Sequence, residues 1–160
     1  MSFNINRYSF CFNDSEYFNW FADKTEKNLK KIIQWKGLHR VKLYDNRKDF
    51  WNGKSIVLGN FNNKKIVTRA FLCHLNDPIE YPILDRFVWK AMRNLTGNGT
   101  NKHFYEWQRD YEKTYIPFFN GLYKEHQKSI SYIKLKGINV KIIKRRILDR
   151  ALWEYGRMLP

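Results

Sequence analysis

The fold is decided by residues 62–95, which read NNKKIVTRAFLCHLNDPIEYPILDRFVWKAMRNL. Apolar residues recur at helical spacing on both sides of the turn NDPIEYP. This pattern predicts one helix over about 65–75 and a second over about 86–95. The two prolines in the turn separate them, because proline cannot continue a helix. Asp85 stands directly before the second helix, where a carboxylate can cap the free backbone N–H groups. We therefore predict a helix, a turn and an Asp-capped helix.

Helical periodicity also covers most of the remaining chain. We predict a helix over about 16–35, an aromatic-rich helix over about 104–123 that is kinked or split at Pro117, and a basic helix over about 142–157. The stretch 131–143 alternates weakly between apolar and polar residues, so a strand pair stays open beside helix plus loop. The predicted fold is mainly α, a compact helical bundle that forms a single domain over the whole chain.

Charge is the strongest global feature. The 160 residues hold 30 Lys and Arg against 15 Asp and Glu, a net charge of +15. Such an excess repels itself in a compact fold, and a polyanionic partner explains it best. Aromatic residues make up 18% of the chain, which is far from the composition of disordered proteins. Basic charge together with many aromatic rings indicates nucleic acid, with duplex DNA as the expected partner.

Several other classes of protein are excluded by composition. The two cysteines, Cys11 and Cys73, form neither a disulfide framework nor a zinc site. The four histidines lack the close pairing of metal ligands. The first residues lack a basic stretch followed by an apolar one, so we expect no signal peptide. No apolar run of this sequence is long enough to predict a membrane span. We expect a cytoplasmic, nucleoid-associated monomer that needs no cofactor or metal.

Residues 62–95 resemble the core of the helix-hairpin-helix DNA glycosylases, the superfamily of endonuclease-III-like, adenine-mismatch and oxidised-guanine enzymes. The segments IIQWKG (32–37) and DRALWEYGRML (149–159) also look like oxidised-guanine-glycosylase-like bacterial proteins. The resemblance implies that two helices joined by a hairpin grip the DNA backbone. It also implies that the aspartate after the turn is catalytic, and at the matching place this chain has Asp85.

The chemistry explains why a carboxylate is needed there. Cleavage of an N-glycosidic bond develops positive charge on the sugar, and a nearby carboxylate stabilises that charge. It can also orient or deprotonate the attacking nucleophile. The competing interpretation is that Asp85 is only a helix cap, the usual role of an aspartate before a helix.

The hairpin departs from the family pattern. Where the family has Gly-Val-Gly, this chain has Asn63, Lys64 and Lys65. The glycines let backbone amides approach a phosphate closely, and the lysines would replace those contacts with charge. We predict DNA-backbone contacts at these three residues.

A second basic cluster, KIIKRR, opens the C-terminal helix. Its charges are expected either to contact phosphate or to form a solvated face. The predicted DNA contacts in it are Lys144, Arg145 and Arg146.

The lysine of the bifunctional glycosylases is replaced. Counting back 18 residues from Asp85 places Val67 where those enzymes keep their Schiff-base lysine. Lys65 is two residues earlier and faces away, because two residues turn a helix by about 200°, and Lys64 falls in the hairpin. The prediction is a monofunctional glycosylase that uses water.

A histidine and four aromatic residues are predicted to be structural. His74 is expected to be a packed helix residue, and a set of aromatic residues at helical spacing is expected to belong to the core and not to stack on bases: Trp89, Trp107, Tyr111 and Trp153. The alternative function is a non-catalytic, basic DNA- or RNA-binding protein that retains the fold.

Overall fold

Helices form the regular structure of the chain in the computed structural model, which describes residues 3–8, 14–38, 53, 56, 58, 65–99 and 106–160. No strand occurs within these ranges, so the chain is mainly α as predicted. The helices are α1 (Ile5–Tyr8), α2 (Ser15–Ala22), α3 (Glu26–Trp35), α4 (Ile66–Asn76), α5 (Arg86–Leu95), a π-helix (Trp107–Tyr115), α6 (Ile116–His126) and α7 (Val140–Met158). None of the helices in the described ranges is both long and apolar enough to cross a membrane.

The single helix predicted over 16–35 is wrong, because the chain breaks between Ala22 and Glu26. Asp23 adopts an extended conformation and ends α2. Thr25, also extended, accepts a hydrogen bond from the Asn28 N–H at 3.3 Å and caps α3. The side chains of aspartate and threonine form hydrogen bonds with the backbone in non-helical conformations. They therefore favour the end of one helix and the start of another over a continuous helix.

The predicted order of a helix, a turn and an Asp-capped helix is confirmed. α4 begins one residue after the predicted start, with Lys65 as its N-cap. α5 covers Arg86–Leu95, and Asp85 is its N-cap as predicted.

The aromatic segment divides just before Pro117. The part up to Tyr115 is a π-helix, and α6 follows from Ile116 with Pro117 in its first turn. Proline is tolerated there because the first N–H groups of a helix have no partner within it. The predicted split is confirmed, and the strand pair over 131–143 is absent, since the last four of these residues belong to α7.

α7 packs across α5 and α1 in the larger of two apolar clusters. Gly156 lies at the contact with α5: a Cβ at this position would stand 1.9 Å from the backbone oxygen of Phe87. No side chain fits in that space. The two helix backbones therefore touch at Gly156.

The smaller apolar cluster joins α2, α3 and α4 and contains a buried polar contact, the Tyr17–His74 cluster. The His74 Nδ1 lies 2.6 Å from the Tyr81 carbonyl oxygen, and Nε2 lies 2.9 Å from the Tyr17 hydroxyl. Because a carbonyl only accepts, Nδ1 carries the hydrogen and Nε2 accepts from Tyr17. Burial lowers the pKa of His74 to about 3, so the ring is neutral. His74 is a packed residue, as predicted.

Candidate active site

A cavity of about 590 Å³ lies where the end of α3, the start of α5 and the middle of α7 meet. Its volume suits a ligand of one or two rings. Three carboxylates, several cations and three large aromatic side chains line it. Asp85, the residue predicted to be catalytic, is one of the carboxylates.

Asp85 is held by three hydrogen bonds. Its Oδ1 accepts from the backbone N–H groups of Phe87 at 2.8 Å and Val88 at 3.2 Å. Its Oδ2 accepts from the Lys36 ammonium at 3.1 Å. The N-terminus of α5 and the Lys36 ammonium both attract the carboxylate group electrostatically and fix its direction. Asp85 therefore presents an oriented carboxylate at the wall of the cavity.

Lys36 is a site residue that the sequence analysis missed. It ends α3 and lies 49 positions before Asp85, yet only 14% of its side chain and 17% of the Asp85 side chain are exposed. Its ammonium also lies 5.8 Å from the centre of the Phe71 ring. Val67 lines the same cavity. The amine in the cavity wall therefore comes from Lys36 at the end of α3 and not from α4.

A second carboxylate–cation group lies on α7. Arg146 donates from Nε and Nη2 to the two carboxylate oxygens of Asp14, at 2.8 and 3.2 Å. Its Nη1 donates to Oδ2 of Asp149, one helical turn further on. The guanidinium also lies over the rings of Tyr17 and Trp35, at 5.2 and 5.1 Å. This geometry fixes Arg146 within the protein.

Burial dominates the electrostatics of Asp149. It raises the pKa of this carboxyl from 3.8 to about 6, although the neighbouring Arg146 acts in the opposite direction. The Asp149 Oδ1 atom is buried and has no hydrogen-bond partner among the described residues. Asp149 thus differs from Asp85, whose two oxygens are both partnered.

Aromatic side chains form much of the remaining wall. Trp35 comes from α3, Phe87 from α5 and Trp153 from α7. The rings of Phe87 and Trp153 meet edge to face, with 5.4 Å between centroids. Arg150 lies 4.7 Å from the Trp153 centroid. Flat aromatic surfaces favour a planar ring as ligand, and the charged side chains between them can orient it.

Trp153 differs from the rest of the aromatic set predicted for the core. It is half-buried and packs against the larger apolar cluster, but it also lines the cavity. The other three members of that aromatic set are buried as predicted. The signal was present in the sequence: on α7 the cavity residues follow the spacing i, i+3, i+4 and i+7, which places them on one face. They are Arg146, Asp149, Arg150 and Trp153.

The predicted phosphate contacts on α7 have protein partners. Arg145 is buried and donates to the Pro78 carbonyl at 3.2 Å and to Asn120 Oδ1 at 2.9 Å. Arg146 is buried in the ion-pair group described above. These positions do not support a phosphate-contacting role for the two arginines. Sequence periodicity could not separate them from a solvated face, because their partners lie far away along the chain.

The other predicted contacts stay predictions. Lys144 is half-buried, and its ammonium donates to the Gln127 carbonyl at 2.6 Å. Lys65 is exposed at the start of α4. Asn63 and Lys64 lie outside the described residues.

The described part of the chain brings together no group of three or more histidine, cysteine, aspartate or glutamate side chains suited to a metal ion. The three cavity carboxylates are instead spaced by lysine and arginine. Comparisons with protein-family models, with curated proteins and with solved structures each found no match to this chain.

Proposed function

We propose that this chain binds duplex DNA and hydrolyses the N-glycosidic bond of a nucleotide turned out of the helix. The observation that carries the proposal is the position of Asp85. A carboxylate oriented by backbone amides lines an aromatic cavity whose volume, about 590 Å³, accommodates one nucleobase. Enzymes that act on a base in duplex DNA take it out of the stack into such a pocket.

The net charge of +15 supports the choice of partner. Neutralising DNA phosphates releases condensed counterions, which is the main source of affinity for basic proteins. Exposed lysines, among them Lys65 at the start of α4, are available for this role. The affinity is expected to fall steeply with salt.

Asp85 would act on the sugar. As the base leaves, positive charge develops at the sugar carbon, and the fixed carboxylate stabilises it without reorganising. Asp85 can also accept a proton from the attacking water. Lys36 keeps Oδ2 directed through its 3.1 Å contact. The base departs with the bonding electrons and takes up a proton, while water supplies the hydroxyl group that replaces the base on the sugar.

Exchange of Asp85 for asparagine tests this role. Asparagine caps a helix about as well as aspartate, so Asp85→Asn is expected to fold and to bind DNA normally. Release of the base is expected to fall at least about 100-fold, because the charge matters only in the transition state. The measurement is release of free base and alkali-dependent strand cleavage, over duplexes that each carry one damaged or modified base.

Asp77→Asn is the matched control. Asp77 also accepts two backbone N–H groups, those of Ile79 at 2.9 Å and Glu80 at 3.0 Å. It lies outside the cavity, so this variant should retain full activity. Wild-type protein that releases no base from the whole panel would refute the glycosylase and leave the alternative, a non-catalytic nucleic-acid-binding protein. An Asp85→Asn variant that still releases the base would show that Asp85 only caps α5 and takes no part in catalysis.

A second experiment addresses the choice of water as nucleophile. Val67 replaces the family's lysine, and the Lys36 amine serves as the donor to Asp85. To form a Schiff base with the sugar, the Lys36 amine would have to be deprotonated and attack through its nitrogen lone pair. We therefore expect borohydride to trap no covalent adduct with DNA during turnover, and the product to be an intact abasic strand. An adduct lost in Lys36→Arg would overturn the monofunctional mechanism and identify Lys36 as the nucleophile.

A further inference from the structure

We propose that Asp149 selects the ligand of the cavity by accepting a hydrogen bond from a ring N–H group of a neutral nucleobase. The ligand class rests on the proposed function. The role of Asp149 is argued from the cavity itself and is tested apart from catalysis.

The three carboxylates of the cavity differ in how completely they are partnered. Both oxygens of Asp14 accept from Arg146, at 2.8 and 3.2 Å. Both oxygens of Asp85 are also occupied, by backbone amides and by Lys36. Oδ2 of Asp149 accepts a hydrogen bond from Arg146, while Oδ1 is buried and has no partner among the described residues. A buried acceptor without a donor costs free energy, so it indicates a missing partner.

The donor is expected to belong to a ligand. Asp149 lines the cavity together with Trp35 and Trp153, which present apolar surface to a planar ring. Protein atoms cover Oδ1, so binding requires the carboxyl group to turn toward the cavity, where a ring N–H group would complete its hydrogen bonding. A site built to receive a donor discriminates strongly against an otherwise similar ligand that lacks it.

Charge favours a neutral ring over a cationic one. Three carboxylates in the cavity face four cations, which are Lys36, Arg86, Arg146 and Arg150. Arginines already lie near two of the aromatic rings, with Arg86 4.5 Å from the Phe87 centroid and Arg150 4.7 Å from that of Trp153. A base with fixed positive charge would therefore meet repulsion that a neutral base avoids.

The same residue implies a pH dependence of binding. Charged groups around Asp149 come from each packed element: Arg146 on its own helix, Asp14 before α2, Lys36 on α3 and Asp85 before α5. Burial raises the pKa of Asp149 to about 6. Below that pH the carboxyl is increasingly protonated and accepts less well. Affinity for an N–H donor is expected to fall as the pH drops from 7.5 to 5.

Nucleosides test the proposal, because their glycosidic nitrogen is blocked as it is in DNA. The probes are thymidine against 3-methylthymidine and 2′-deoxyinosine against 1-methyl-2′-deoxyinosine, with dissociation constants from ligand-observed NMR titrations. At pH 7.5 the wild type should bind each unmethylated nucleoside at least about tenfold more tightly than its methylated partner. Asp149→Ala should abolish this ratio by weakening only the unmethylated probe.

Two further variants make the result decisive. Asp149→Asn keeps an acceptor, so it should retain part of the ratio and lose its change between pH 7.5 and 5. Asp110→Ala removes a buried aspartate that is paired with Arg109 outside the cavity, and should leave the ratio unchanged. Thermal melts verify that each variant is folded.

A ratio unchanged in Asp149→Ala, or failure of the wild type to bind any of the four nucleosides, would overturn the proposal. Wild-type protein that releases no base from the whole panel but keeps the nucleoside ratio would refute the catalytic function and leave the role of Asp149 standing.

Discussion

The cavity and the Tyr17–His74 cluster are two polar regions of the interior that differ in how completely their hydrogen bonds are made. In the cluster, His74 donates to Tyr81 and accepts from Tyr17, so both ring nitrogens are occupied. In the cavity, Asp149 retains a buried oxygen with no partner among the described residues. The two regions are neighbours, since Arg146 of the cavity lies 5.2 Å from the centre of the Tyr17 ring.

The difference separates residues that stabilise the fold from those that await a ligand. A buried polar group whose partners are all within the protein contributes to a unique core. Charged groups concentrated around an open volume are costly to the fold and are retained for function. Changes in the Tyr17–His74 cluster should therefore alter stability, and changes in the cavity should alter activity.

The largest expected effect is on activity, at Lys36. Lys36→Met keeps the length of the side chain and removes the charge beside Asp85. Base release should fall about 100-fold, equivalent to about 2.7 kcal/mol in the activation free energy, because Asp85 loses its directing partner. Single-turnover excision rates measure this effect.

Lys24→Met is the control for charge and packing. Lys24 also lies over an aromatic ring, 5.8 Å from the centre of the Trp20 ring, but outside the cavity. This variant should excise at the wild-type rate. Equal losses in the two variants would mean that total positive charge, and not the Lys36–Asp85 contact, determines activity.

The second effect is on stability and belongs to His74. Its pKa is about 3 in the folded protein and 6.5 as a free side chain. Below pH 6.5 His74 therefore binds a proton in the unfolded chain but not in the folded one. The free energy of unfolding falls as the pH drops, by up to about 1.4 kcal/mol per pH unit. Asp149, with a raised pKa, acts oppositely: its contribution is lost as the pH rises from 3.8 to about 6.

Comparison with His74→Asn isolates the histidine contribution. Between pH 6.5 and 5 the wild type should lose about 2 kcal/mol more free energy of unfolding than this variant. Urea unfolding at the two pH values provides the measurement. Excision and nucleoside binding at pH 7.5 should match the wild type, and a large loss of either would connect the Tyr17–His74 cluster to function and break the comparison.

The smallest effect distinguishes the two roles of Asp85. As the N-cap of α5 it also contributes to stability. Asp85→Ala should lower the free energy of unfolding by about 1 kcal/mol more than Asp85→Asn does, because alanine cannot accept the backbone N–H groups. Both variants should be equally inactive. Activity retained in Asp85→Asn but not in Asp85→Ala would assign the residue to capping alone.

Local patterns account for much of the fold and for one end of the site. The turn with two prolines and the aspartate before an amphipathic run predicted α5 and its cap correctly, since both depend on residues a few positions apart. The break between α2 and α3 was missed because the apolar spacing continues across it. Thr25 ends that continuity through a hydrogen bond to Asn28, which competes with helix propagation.

The rest of the site depends on contacts that no local pattern contains. Lys36 and Asp85 are 49 residues apart, and Arg146 and Asp14 are 132 apart. A basic run such as KIIKRR looks the same whether its arginines face solvent or a buried carboxylate. Only the packing of α7 against the remaining helices distinguishes these cases.

Gly156 lies outside the cavity but fixes the distance between two of the helices that form its wall. The backbone of α7 meets the Phe87 carbonyl there, where a Cβ would come within 1.9 Å. Phe87 lines the cavity and Trp153 lies one turn before Gly156 on the same helix. Any side chain at Gly156 would push α5 away from α7 and separate the two rings. The lining residues can therefore be substituted to enlarge the pocket for a different ligand. Gly156 has to be kept in every such variant, because it sets the distance between α5 and α7.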